Sequence, residues 1–206
     1  YLGQDPSSTT STAEYNLSIG VTALDAITTG DANIAIGHDA LSANTTGSGN
    51  LAIGYGAYDN ADTEGNNLAI GRDALGGSIN GGEFNVAVGN FSLDANTSGD
   101  RNVALGYVAL TQNSTGTYNV GIGGGALQLN SSGSSNTSLG NNSMYSNTSA
   151  NYNTAIGAEA LYDAARTADT DGYNTALGYN AGNTGTNDIT TGNKNTLLGA
   201  STAASA

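Results

Sequence analysis

Apolar residues in this chain recur at fixed phase rather than in runs. A pentad of the form Asn-x-small-aliphatic-Gly begins at Asn16, Asn33, Asn50, Asn67, Asn85, Asn102, Asn119, Asn136, Asn153, Asn174 and Asn195. Its copies are separated by seven intervals of 17 residues, one of 18 and two of 21. Alternation inside the pentad predicts a short strand, with positions two and four on one face and position three on the other. The fourth position is Ile19, Ile36, Ile53, Ile70, Val88, Leu105, Ile122, Leu139, Ile156, Leu177 and Leu198, aliphatic throughout, and is expected to form the buried repeat core. The second position is aliphatic or Thr and shares that face.

The third position is small, with Leu197 the exception, and is expected to face outward against a close neighbour. Ala35, Ala52, Ala69, Ala87, Ala104, Ala155 and Ala176 are therefore candidate chain-interface residues, although a merely small, solvated face is the plain alternative. The closing Gly predicts a turn of positive φ. Three and four residues later comes an Ala-Leu-like pair, such as Ala23-Leu24 or Ala109-Leu110, read as a second short strand or bend. Turns such as Asn44 to Gly47 complete the repeat.

One coil with two or three apolar residues cannot enclose a core, but stacked coils about 4.8 Å apart join their columns into ladders. The expected fold is all-β: a parallel β-solenoid, or β-roll, of about eleven coils, mostly of 17 residues. The pentad Asn is expected to form a ladder of its own. Helical repeats conflict with the Gly and Asn content and with the period of two, and disorder conflicts with the register. Residues 1–15 read as a lead-in, 16–173 as regular coils, and 174–206 as longer coils and exit.

Asn50 to Gly54 (Asn-Leu-Ala-Ile-Gly) and Asn153 to Gly157 (Asn-Thr-Ala-Ile-Gly), with their Ala-Leu pairs and polar turns, resemble the head repeats of trimeric autotransporter adhesins. They resemble even more the longer repeats of phage tail fibres and related surface fibres. The likeness covers about residues 16 to 200, and the 17-residue coil is longer than that of the adhesin heads. It implies a left-handed, homotrimeric rod, extracellular on a virion tail fibre or cell surface, that attaches to a cell-surface glycan or other receptor.

Composition sharpens this picture. With 31 Gly, 1 Pro, no Cys, no Trp and 10% charged residues, the chain has neither the core formers nor the surface of an ordinary enzyme domain. Seventeen acidic against 4 basic residues, a formal net charge of -13, argue against nucleic acid. No apolar run approaches the roughly 20 residues of a membrane span, so no membrane insertion is expected. The start carries no signal-peptide pattern, so none was needed or it has been removed. Tyr1 and the Ala-Ser-Ala end are expected of a piece of a longer chain.

Candidate chemistry is sparse, and no enzyme, cofactor or metal is expected. His38, the single His, reads as a turn residue. Asp39 and Asp73, two coils apart, superficially suit an inverting glycosidase pair, but nothing else in the sequence converges there and solvated turn acids explain them better. Asp59, Asp62 and Glu64, and Asp163, Asp169 and Asp171, are acidic turns without a calcium-loop pattern. Sequons at Asn44, Asn96, Asn113 and Asn147 leave glycosylation open. Tyr55, Tyr107 and Tyr179 follow the pentad Gly and are candidates for surface recognition by stacking on sugars, or for shielding a coil corner. Residues 162 to 173 and 183 to 194 hold the insertions and are candidate contact loops. The function expected is a structural and adhesive fibre segment; the alternatives are an ice- or surface-binding solenoid and a fibre-borne polysaccharide depolymerase.

Overall fold

The computed structural model describes residues 12–78, 80–163, 172–183 and 193–202. Within them each pentad forms a three-residue strand over its second to fourth positions, from β1 (Leu17–Ile19) and β2 (Ile34–Ile36) through β3 (Leu51–Ile53), β4 (Leu68–Ile70), β5 (Val86–Val88), β6 (Val103–Leu105), β7 (Val120–Ile122), β8 (Thr137–Leu139), β9 (Thr154–Ile156) and β10 (Thr175–Leu177) to β11 (Thr196–Leu198). These eleven strands form one parallel sheet in sequence order. Each residue pairs with its counterpart one repeat later, as in Leu51 with Leu68 and Ala52 with Ala69. The chain is a parallel β-solenoid, and the two 21-residue repeats keep the same register.

Which strand face is internal is the reverse of the sequence expectation. All seven Ala of the third column are 0% exposed, and they form the core together with Leu24, Leu41, Leu75, Leu93, Leu110, Leu127, Met144 and Leu161. Ala35, Ala52, Ala69, Ala87, Ala104, Ala155 and Ala176 therefore face the inside of their own coil and cannot be a chain interface. The fourth column turns outward: Ile19, Ile36, Ile53, Ile70, Val88 and Ile122 are half-buried, while Leu105, Leu139, Ile156, Leu177 and Leu198 are exposed.

The cause is the width of the coil. A side chain added at Gly121 of the third column would meet Leu110 Cδ1 and the Ala126 carbonyl at 3.2 Å each, so little more than a methyl fits between strand and opposite wall. Where the column is Ser, the hydroxyl donates across the coil, from Ser18 to the Ala23 carbonyl at 2.7 Å and from Ser138 to the Ser143 carbonyl at 2.8 Å. Interior bulk comes instead from one large residue per coil in the opposite wall.

That wall is a run of turns rather than a second strand. Its large residues, such as Leu24, Leu41 and Leu110, have φ of 51–54°. Left-handed backbone costs a non-Gly residue about 1–2 kcal/mol, and here it aims Leu inward while its N–H still bonds the next coil, as from Leu41 to the Ala57 carbonyl at 3.1 Å. The pentad Gly has two reasons to be Gly: Gly54 has φ 143°, and a side chain there would collide with the Gly71 carbonyl.

Asparagine closes the coils and joins them. The Oδ1 of each pentad Asn accepts the backbone N–H of the next, with Asn119 on Asn102 and Asn136 on Asn119 at 2.9 and 3.0 Å, in a ladder running from Asn16 to Asn195. The Nδ2 of Asn119 donates to the Gly133 carbonyl at the end of its own coil, at 2.7 Å. A second buried ladder links Asn96, Asn113, Asn130 and Asn147 through Nδ2 to Oδ1 bonds. The sequon residues Asn44, Asn96, Asn113 and Asn147 are thus interior, not displayed for glycosylation in the folded chain.

The third coil departs from this scheme. Tyr58 stands where most coils have Leu, Ala61 where five coils have Asn, and Glu64 where most have Gly. Tyr58 is fully buried, and its hydroxyl accepts from Asn67 Nδ2 at 2.5 Å. Burial, with Glu64 adding to it, drives its phenol well above the ordinary tyrosine value. With Ala61 in place of the ladder Asn, Asn44 Oδ1 is a buried acceptor without a partner.

Two substitutions test this architecture by urea unfolding. Ala104→Leu overfills the coil and is expected to lower stability by about 1–3 kcal/mol. Asn119→Ala leaves the Asn136 N–H without its acceptor, while the Gly133 carbonyl keeps its second donor, Asn130 Nδ2 at 2.9 Å, and the change is expected to cost about 1–3 kcal/mol.

Candidate functional site

With the third column inside, each strand presents its second and fourth residues to the exterior. Sixteen large apolar residues are exposed among the described residues, and all belong to four adjacent files. Two are the strand columns, aliphatic except for Thr137, Thr154, Thr175 and Thr196, where Leu105 is 45% and Leu198 72% exposed. The other two flank them: the residue before each pentad Asn, including Tyr15, Phe84, Tyr118, Tyr152 and Tyr173, and the residue after each pentad Gly, including Val21, Tyr55, Tyr107 and Tyr179. The result is a single apolar face with an aliphatic floor and aromatic rims.

Sequence reasoning identified only one rim. The candidate recognition residues Tyr55, Tyr107 and Tyr179 lie on it, all more than half exposed. The other rim was signalled by aromatic residues immediately before five pentads, in a column that the turn reading had treated as polar. Every described residue of that file has positive φ, from 47° at Tyr173 to 72° at Gly49. The left-handed backbone there suits Gly or Asn, so bulky aromatics occupy it against local preference.

Rings and cations stack along these rims. Arg101 lies over the rings of Phe84 and Tyr118, at 5.0 and 5.6 Å from their centroids. Tyr152 and Tyr173 stack at 5.0 Å. On the opposite rim His38 stacks on Tyr55 at 5.2 Å, and Arg72 lies 5.6 Å from the same ring.

Charge is partitioned in the same way. None of the 17 Asp and Glu falls in the strand or rim files, which hold His38 and three of the four Lys and Arg: Arg72, Arg101 and Lys194. The face spans eleven coils of about 4.8 Å and a width of about 16 Å, an area on the order of 800 Å². A typical stable protein interface occupies about 800 Å² per partner, and a contiguous, mainly apolar face of comparable area is a candidate interaction surface.

The other candidate residues do not converge on a reaction centre. Asp39 pairs with His38 and accepts from Thr22, while Asp73 is 3.1 Å from Arg72 Nε. Glu64 is buried and caps backbone, accepting from the N–H groups of Asp62, Thr63 and Gly81 at 2.9–3.2 Å. Among the described residues no three His, Cys, Asp or Glu gather as metal ligands. Asp169, Asp171 and most of the two insertions lie outside the described residues.

Comparison with protein families, curated proteins and solved structures finds no match to this chain.

The acidic turns do generate one measurable property. Burial, followed by the nearby carboxylates of Asp73, Asp39 and Asp94, pushes Asp59 up to about 6, and burial raises Asp94 as well. A folded-state value above the unfolded one means that the native chain holds the proton more tightly. Its stabilising contribution is full below about pH 4 and is lost as pH rises through about 6. The urea midpoint is expected to fall across this window in the parent chain and to fall less in Asp59→Asn.

Proposed function

We propose that this chain is a structural and adhesive segment of an extracellular fibre, of the phage tail-fibre or surface-adhesin kind, and that its apolar face joins three copies into a rigid rod. The observation that carries the reading is that face: aliphatic along all eleven strands and free of Asp and Glu. A chain of net charge -13 repels its own copies over most of its surface, and this strip is where contact costs least. Burying the exposed aliphatics against one another is worth about 25 cal/mol per Å². Three is the copy number implied by the resemblance of the pentad repeats to trimeric fibres.

In such a rod the turns at the far side of each coil face outward and meet the receptor or glycan. Rigidity follows from the stacked sheet, because bending requires breaking inter-coil bonds that repeat every 17 residues. The alternatives have weaker support. A Thr file exists only at Thr137, Thr154, Thr175 and Thr196, beside a column of Leu and Ile, so no broad Thr surface of the kind expected for ice binding forms. Among the described residues Asp39 pairs with His38 and Asp73 with Arg72, so the two carboxylates that suggested a polysaccharide-cutting pair are each engaged with a neighbour.

Sedimentation equilibrium at neutral pH tests the assembly. A mass three times the 20.4 kDa of the chain is expected, and a monodisperse monomer would overturn the reading. Leu105→Lys together with Ile122→Lys places charges in the floor and is expected to shift the trimer toward monomer. Thr115→Lys, in a turn outside the face, is expected to leave it unchanged.

A further inference from the structure

The two rims of the face are complementary to one another, coil by coil. At the second coil Ala32 stands on the rim before Asn and His38 on the rim after Gly, and at the third the pair is Gly49 and Tyr55. The order of sizes then reverses: Phe84 with Asn90, Tyr118 with Gly124, Tyr152 with Ala158, Lys194 with Ala200. Counting Asn66 with Arg72, one rim is large and the other small at seven of eleven levels. Of the remaining four, Arg101 with Tyr107 is a cation and ring, Tyr173 with Tyr179 two rings, Tyr15 with Val21 two apolar groups, and Ser135 with Asn141 two small polar ones.

Nothing within one chain explains this matching. The paired residues sit beyond opposite ends of the same strand, six positions apart in sequence, with the pentad Asn, the three-residue strand and the pentad Gly between them. Neighbours within a file touch, as His38 does Tyr55 and Arg101 does Phe84. Residues across the face have the aliphatic floor between them.

A second copy removes the separation. When identical rods associate in parallel about an axis along their length, the rim before Asn of one meets the rim after Gly of the next, because cyclic symmetry brings unlike edges together. We propose that copies of this chain associate in parallel and in register, each large rim residue filling the space left by the small residue at the same coil of its neighbour. This rests on the assembly reading above and adds direction and register to it. The antiparallel arrangement pairs each rim with itself in reverse order. It sets Arg101 against Arg101 at the middle coil, and like charges in contact repel.

Since the chain has no Cys, introduced pairs report the register directly. A disulfide requires Cα atoms within about 7 Å. Ala32→Cys with His38→Cys, or Tyr152→Cys with Ala158→Cys, is expected to oxidise to a covalently closed oligomer on a non-reducing denaturing gel. Its copy number should match the native mass. Ala32→Cys with Arg72→Cys, offset by two coils or about 10 Å, is expected to stay unlinked. An oligomer by sedimentation in which neither same-level pair links, or in which the offset pair links equally well, would sink the register proposal while leaving assembly intact. A monomer by sedimentation would sink both. Circular dichroism of each variant, compared with the parent chain, establishes that it folds.

Discussion

The structure depends on what one asparagine side chain can do inside a narrow tube. Its Oδ1 takes the N–H of the next coil's asparagine, and its Nδ2 takes the carbonyl that ends its own coil. A backbone that turns so tightly leaves buried polar groups that no strand ladder reaches, and buried polar groups without partners are costly. The amide supplies donor and acceptor at the right separation, so closing a coil and adding the next become one event. Asp lacks the donor and Leu lacks both, which is why the column holds Asn in all eleven pentads.

The remaining design follows from that tight closure. Because the coil is narrow, the strand can contribute only a methyl to the interior, and the large interior residue comes from a left-handed turn. Because the strand's larger side chains cannot enter, they are exported to the surface. The aliphatic face is therefore a product of how the coil closes, and its extent is set by the number of coils. An outward apolar strip is the form in which a solenoid too thin to bury its own aliphatics offers them to a neighbour.

The strand positions, their register and the asparagine ladder were legible in the sequence, since a repeat of fixed phase specifies all three. The sense of the face was not. Alternation groups Leu51 with Ile53 against Ala52, but it does not say which side is inside, and the habit of placing bulk in the core chose wrongly. The cue lay in the second half of the repeat, where Leu41 and Leu75 already supply one large residue per coil. What hid it was conformation: Leu with positive φ is rare, so a pattern that looked like a short strand was a chain of turns. The sequons misled for a related reason, because asparagines typical of exposed turns became interior braces.

Identical coils raise a problem that ordinary domains do not have, since any coil could stack on any other without loss of hydrogen bonds. The third coil removes that degeneracy. Tyr58 is bonded to Asn67 of the next coil, and the 18-residue repeat starting at Asn67 places the receiving carbonyl at Gly82, one residue later than the usual spacing. A chain slipped by one coil would set Tyr58 against a 17-residue coil in place of the 18-residue coil that receives it. This irregular coil works as an index mark, a single place from which the position of every other coil along the rod is counted.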